Sequence, residues 1–333
     1  MNKLEFSNFK SKLILVTGGA GFIGSHLIKS LLNLGAKVKC LDDFSTGKKA
    51  NIEEFINHTS FELIEGDIRD FELCKKAVTG CDYVCHQAAL GSVPRSLKTP
   101  LLTHSVNITG FLNIMEASRL AKVEKFVYAA SSSTYGDSKA LPKIENEYGE
   151  PLSPYAVTKY VNEKYASVYK KSYDFNSIGL RYFNVFGPKQ DLNGSYAAVI
   201  PKFIAALLKH KSPVINGDGS FSRDYTYIEN VVQANLLALA ATEAHVLNEV
   251  YNVACGEQTS LVELINLLKH RLLNYDSEVA DIQPEFGPER KGDVPHSLAS
   301  ITKARNLLGY NPEYNLADGL TITVNWYVEN SKL

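Results

Sequence analysis

Apolar positions in the first half of the chain alternate between short solid runs and segments with helical spacing. The run "KLILVTGG" (12–19) is apolar and β-branched throughout, as in a strand buried on both faces. The following "GFIGSHLIKSLLNLG" (21–35) spaces its apolar residues three and four apart and ends on Gly35, which predicts an amphipathic helix. Further strands are predicted at "KVKCLDD" (37–43), "FELIEGD" (61–67), "DYVCHQAA" (82–89) and "KFVYAASSS" (125–133). Helices are predicted between them at "DFELCKKAVTG" (70–80) and "THSVNITGFLNIMEASRLA" (103–121). "NSIGLRYFNVFG" (176–187) and "EVYNVACG" (249–256) add later strands. Short apolar strands alternating with helices predict an α/β fold, a parallel sheet covered on both faces.

After Gly187 the texture changes to loop-rich stretches punctuated by Pro and Gly, such as "GPKQDLNGSYAAVIP" and "LNYDSEVADIQPEFGPERKGDVPHS". These suit a smaller lobe on the edge of the sheet. The expected division is a nucleotide-binding domain over 1–186, with a returning segment at about 222–255, and a smaller C-terminal α/β lobe over 187–221 and 256–333.

Composition narrows the function classes. A formal charge of −1 over 333 residues gives no electrostatic case for nucleic-acid binding. No run of about 18 apolar residues occurs, so no membrane span is expected, and the N-terminus lacks the apolar stretch of a signal peptide. A cytoplasmic protein is expected. Five scattered cysteines complete no zinc-ligand pattern and read as reduced, buried fillers, so no metal is expected.

The chemistry begins where the first strand ends. In "TGGAGFIG" (17–24), Gly18, Gly21 and Gly24 lie between a strand and a helix. A Cβ there would block the tight turn, the approach of backbone to a pyrophosphate, or helix–strand packing. The phosphates would meet the positive end of the helix dipole. Eighteen residues past Gly24, Asp42 ends the next strand and is placed to accept the adenosine ribose hydroxyls. Its charge repels a 2′-phosphate, so NAD is favoured over NADP. The expected fold is therefore a Rossmann-type doubly wound parallel sheet. Asp67 and Ile68 end the third strand, where adenine is expected; Gln87, Ala88 and Ala89 end the fourth.

The stretch "AASSSTYGDSK" (129–139) holds three consecutive hydroxyls, Ser131, Ser132 and Ser133, without a carboxylate among them. Beyond it, "SPYAVTKYVNEKY", whose Tyr155 lies twenty-four residues past Ser131, predicts a helix capped by Ser153 with Pro154 at its first position. Tyr155 and Lys159 are four apart on one face of it. An unperturbed tyrosine titrates near pH 10 and is a poor base at neutrality. A nearby ammonium and a cationic nicotinamide favour its phenolate. Taken alone, Tyr-x-x-x-Lys is a common helix-surface pattern; after a dinucleotide fingerprint and a serine-ended strand it is a catalytic one.

From "VTGGAGFIG" through "SSSTYGD", "YAVTK", "RYFNVFGP" and "RDYTYI" to "GDVPHS", almost the whole chain resembles the extended short-chain dehydrogenase/reductase family, in its nucleotide-sugar epimerase branch. The resemblance implies Ser131, Tyr155 and Lys159 as catalytic residues. It extends the NAD set to Phe22, Ile23, Asp43, Phe44, Ser45, Thr46, Gly47, Asn107 and Tyr182, besides Tyr155 and Lys159. Members that dehydrate their sugar carry an acid pair just before "YGD". This chain has Ser132 and Ser133, which can hold a sugar but cannot act as a carboxylate base. That leaves alcohol oxidation and re-reduction.

The resemblance also implies the substrate set. Asn184, Arg223 and Arg290 line a diphosphate, a role suited to the planar guanidinium fork. Val199, Val214 and Asn216 seat a uracil, with Ala198, Lys202, Tyr225 and Asp293 nearby. Members restricted to non-acetylated hexoses carry a large aromatic where this chain has Ser297. "GSVPRS" (91–96) resembles the branch acting on N-acetylated sugars, which adds Gly91 and Ser92. The expected activity is 4-epimerisation of UDP-N-acetylglucosamine (UDP-GlcNAc) and UDP-N-acetylgalactosamine (UDP-GalNAc) by a homodimer joined through helices at about 153–172 and 103–120. Three alternatives remain: UDP-hexuronic acids, for which Arg95 or His296 is the available cation; UDP-glucose and UDP-galactose; and an NAD-binding sensor without turnover.

Overall fold

Seven parallel strands form one sheet in the computed structural model, which describes residues 9–192, 198–289 and 294–330. In chain order they are β1 (Leu13–Thr17), β2 (Lys37–Asp42), β3 (Phe61–Glu65), β4 (Tyr83–His86), β5 (Lys125–Ser131), β6 (Ser177–Tyr182) and an edge strand, Val250–Val253. In space the edge strand is followed by β6, β5, β4, β1, β2 and β3. The order reverses between β1 and β4, and a crevice opens at the carboxyl ends of the strands at such a switch point. Neighbouring residues of β1 serve opposite faces: Ile14 and Val16 join one buried cluster, Leu15 the other. A strand flanked by helices on both sides must be apolar at every position, which is why these runs do not alternate.

The helices are α1 (Phe22–Asn33), α2 (Phe71–Val78), α3 (Val93–Lys98), α4 (Pro100–His104), α5 (Phe111–Leu120), α6 (Pro154–Tyr173), α7 (Val199–Leu207), α8 (Ile228–Ala240), α9 (Leu261–Leu272), α10 (Thr302–Leu308) and α11 (Leu316–Asn330). Asp70 caps α2 by accepting from the Leu73 amide. None of the helices described is long and apolar enough to cross a membrane.

Two expected elements are divided. The helix expected over 103–121 begins at Pro100 and contains a π-helical turn, Ser105–Gly110, before α5. Buried Asn107 sits in this turn. Its amide accepts from Leu90 N at 2.8 Å and donates to Leu90 O at 3.3 Å and Thr158 Oγ1 at 3.1 Å. The widened turn and this clasp tie α6 to the loop after β4, a placement in keeping with π turns at functional sites. The run over 176–187 is also split: β6 stops at Tyr182, and Asn184 takes a positive φ of 32°. Val185–Phe186 then pairs with Thr226–Tyr227. Two further pairings, Val214–Asn216 with Glu285–Gly287 and Ser222–Arg223 with Thr259–Ser260, lie off the main sheet.

Candidate active site

A cleft of about 600 Å³ follows the carboxyl ends of β1, β2, β4 and β5. Gly18 has φ +65°, and a Cβ on it would stand 2.7 Å from Ala88 N. A Cβ on Gly24 would lie 2.2 Å from Gly18 O. Only glycine permits this turn, and the space it leaves, at the N-terminus of α1, fits a pyrophosphate. Gly21, Phe22 and Ile23 complete that wall.

Asp42 ends β2 buried, accepting from Ala20 N at 2.9 Å and Phe44 N at 2.8 Å. Burial pushes its carboxyl above the usual range, against the pull of these amides. Gly47 is packed so close that a Cβ would meet Asp42 Oδ1 at 2.7 Å. Phe44 and Gly47 thus shape the loop around Asp42, while Asp43, Ser45 and Thr46 face the cleft. Asp67 and Ile68 line the adenine end, with Asp67 held below the usual carboxylate range by Arg69. Gln87, Ala88 and Ala89 line the middle; Gln87 Oε1 accepts from Tyr182 Oη at 3.0 Å, and Asn235 Nδ2 donates to the same phenol at 2.9 Å. Asn107 is not a cleft residue, because its amide is committed to Leu90 and Thr158 behind the wall. These residues fit NAD.

The reacting groups meet where β5 ends against α6. Ser153 Oγ accepts from Ala156 N at 3.2 Å and Pro154 opens the helix, as expected. Tyr155 and Ser131 line the same cleft, the serine favouring the tyrosine's phenolate, and Ser131 Oγ accepts from Ser133 N at 3.1 Å and Ser133 Oγ at 2.9 Å. Ser132 faces the cleft; Ser133 orients Ser131 rather than lining the wall. Lys159 Nζ is buried and donates to Ala129 O at 2.7 Å. Burial lowers its pKa to about 8, with Glu163 opposing.

One electrostatic expectation is corrected. The protein groups alone do not acidify Tyr155: burial is the larger effect and raises its pKa, and the opposing influence is the Ser131 hydrogen bond, not Lys159. Desolvation disfavours a phenolate more than one neutral hydrogen bond favours it.

Of the expected substrate residues, Gly91, Ser132, Asn184 and Ala198 line the cleft. Ser92 instead caps α3, accepting from Arg95 N at 3.2 Å. Val199, Lys202, Val214, Asn216, Arg223, Tyr225 and Ser297 are not part of this wall. Arg223 Nη1 donates to Ser222 O at 3.0 Å and Pro295 O at 2.9 Å. Ser297 N donates to Ser222 O at 3.0 Å. Arg290 and Asp293 lie outside the described residues. Arg95 lines the cleft, whereas His296 bonds Ser222 Oγ at 2.9 Å away from it. Gln190 and Asp191 also line the cleft, Asp191 paired with Lys48 at 2.8 Å. They belong to no motif, and only the contact of this segment with the loop after β2 reveals them.

A tyrosine beside a strand-end serine, one helical turn from a buried lysine and next to a dinucleotide cradle, defines an enzyme that works on alcohols with a nicotinamide cofactor. The sequence pattern of the NAD dependent epimerase/dehydratase family matches residues 14–254, and the chain belongs to that family. The expected family, parallel doubly wound sheet and NAD cofactor are borne out. Among curated relatives, the chain is 37% identical to UDP-glucose 4-epimerase of Mycolicibacterium smegmatis, over 96% of this chain and 99% of that one. Among solved structures it resembles UDP-N-acetylglucosamine 4-epimerase from Methanobrevibacter ruminantium M1, in complex with UDP-N-acetylmuramic acid. Identity is 38% and TM-score 0.90, with 97% of this chain and all of that one covered. UDP-glucuronic acid 4-epimerase from Bacillus cereus, solved with UDP-glucuronic acid and NAD, is 32% identical at TM-score 0.85, covering 95% and 99%.

Proposed function

We propose that the protein interconverts UDP-GlcNAc and UDP-GalNAc by reversible 4-epimerisation. The coarser statement is firm: the chain is an NAD-dependent UDP-sugar 4-epimerase. The observation that carries it is the contact of Tyr155 with Ser131, one turn from Lys159, in a segment (131–135) bearing hydroxyls and no carboxylate. Tyr155 takes the proton of the 4-hydroxyl and later returns one. Ser131, oriented by Ser133, holds the sugar oxygen. Lys159 supplies positive charge and donors for the nicotinamide ribose. Bound at this cradle, NAD would supply a reversible hydride acceptor for sugar carbon 4 and a positive charge that favours the Tyr155 phenolate.

Three features support the acetylated sugar: small Ser297, the "GSVPRS" segment with Gly91 on the cleft, and the likeness to the Methanobrevibacter enzyme. Arg95 on the cleft favours a second reading, a UDP-hexuronic acid whose carboxylate it would pair. We assign 187–221 and 256–333 to the UDP-sugar lobe. Five free thiols, four of them buried, suit a reducing cytoplasm.

The test is NMR of purified protein with UDP-GlcNAc, UDP-glucose and UDP-N-acetylglucosaminuronic acid in parallel. UDP-GlcNAc should turn over fastest, and Ser297→Tyr should suppress the acetylated pair selectively. Tyr155→Phe should lower kcat by about 10²–10⁴ while NAD content is kept. Near-normal turnover by Tyr155→Phe would end the mechanism; preference for the uronic acid would replace the substrate.

A further inference from the structure

Asp224 is fully buried, and among the described residues its carboxylate is met not by a cation but by three backbone amides from two separate segments. Its Oδ1 accepts from Cys255 N at 3.0 Å, and its Oδ2 from Gly256 N at 3.0 Å and Ala299 N at 3.2 Å. Its own carbonyl accepts from Asn184 Nδ2 at 3.1 Å. Cys255 and Gly256 lie two and three residues past the end of the edge strand, which β6 holds in register. Ala299 belongs to the loop that carries Ser297. Asn184 is the strained residue at which the chain leaves β6 and lines the cleft.

The preceding two residues grip the same loop: Arg223 Nη1 reaches Pro295 O, and Ser222 O accepts from Ser297 N. Residues 222–224 therefore form a strip holding 295–299, and Asp224 fastens that strip to the sheet. On its far side the loop is held separately, by Lys143 N to Leu298 O and Ser300 N to Lys143 O. A buried carboxylate without an ion pair is costly to keep unless its lone pairs are filled by hydrogen bonds. Here they are filled by amides whose segments must stay aligned.

We propose that Asp224 is a positioning residue for nucleotide binding: it fixes Arg223, Asn184 and the Ser297 loop relative to the sheet and touches neither cofactor nor sugar. The inference rests on the UDP-sugar reading above. Without this acceptor, Cys255 and Gly256 remain anchored by the edge strand, while strip and loop gain freedom. The loss falls on the nucleotide rather than on NAD.

Full-length wild type, Asp224→Ala and Asp224→Asn are compared for NAD content, thermal melting, calorimetric binding of UDP, and turnover. In Asp224→Ala the Kd for UDP should rise about tenfold or more, and in Asp224→Asn, which keeps one carbonyl acceptor, about threefold to tenfold. The KM for the UDP-sugar should follow, with kcat within about threefold and NAD content unchanged. If Asp224→Ala fails to fold, Asp224→Asn decides. Equal UDP affinity in all folded proteins overturns the inference. NAD content falling in step with UDP affinity, or failure of both variants to fold, also overturns it in favour of a general structural role. A wild type that turns over sugar nucleotides yet does not bind UDP removes the uridine reading, and this inference with it.

Discussion

His86 ends β4 fully enclosed, with Nδ1 2.8 Å from Thr17 Oγ1 and its ring against Phe111 and Phe126. Burial, helped by the charge of Lys159, lowers its pKa to about 3. The folded protein therefore holds this imidazole neutral where the unfolded chain, near its ordinary 6.5, would protonate it. The stabilisation is complete above about pH 6.5 and is lost as pH falls toward 3, by up to about 1.4 kcal/mol per pH unit. Denaturant unfolding across that window should show the decline, and His86→Phe should flatten it; parallel slopes would contradict this. Gly18 gives a second residue-scale prediction. Its positive φ and the 2.7 Å approach to Ala88 N leave no place for a methyl group, so Gly18→Ala should purify with little NAD. Gly18 was legible in sequence because a glycine between strand and helix has few other uses. The clasp made by Asn107 and the amides gathered around Asp224 were not, since their partners are distant in sequence.

At the scale of elements, the position of α6 decides where Tyr155 and Lys159 stand. The helix was readable from Ser153 and Pro154, but its attachment was not. Glu163, one turn beyond Lys159, makes a bidentate buried pair with Arg181 of β6, at 2.8 and 2.7 Å. Arg181 also donates to Glu145 O at 2.9 Å, with its guanidinium 4.7 Å from the Tyr135 ring centroid. Removing one partner of such a pair strands a buried charge, so Glu163→Met should cost about 3–5 kcal/mol in denaturant unfolding. The double change Glu163→Met with Arg181→Met should recover much of that loss, because no charge remains to be desolvated. A single variant as stable as wild type would refute this account. In sequence, Arg181 is merely a charge interrupting an apolar run.

For the whole molecule, apolar surface is concentrated where α3, α4 and α6 lie together. Leu101 is 85% exposed, and Leu97, Leu102, Val157 and Val168 are also open. Residues of this kind on adjacent helices suit a self-complementary interface, and we propose that two copies of the chain pair here, through α4 as well as α6. Light scattering should give a dimer, and Leu101→Glu with Val157→Glu should give a monomer; an unchanged mass would place the interface elsewhere. Local sequence by itself determined the strand–helix alternation, the glycine cradle, Asp42 and the Tyr155–Lys159 pair, because each depends on neighbours within one strand, turn or helix. Tertiary structure alone decided what stands behind those groups: the burial that raises Tyr155, the clasp of Asn107, the Glu163–Arg181 pair and the amides around Asp224. Their partners are brought together only when the sheet is wound, so desolvation and long-range hydrogen bonds leave no periodic mark on the chain.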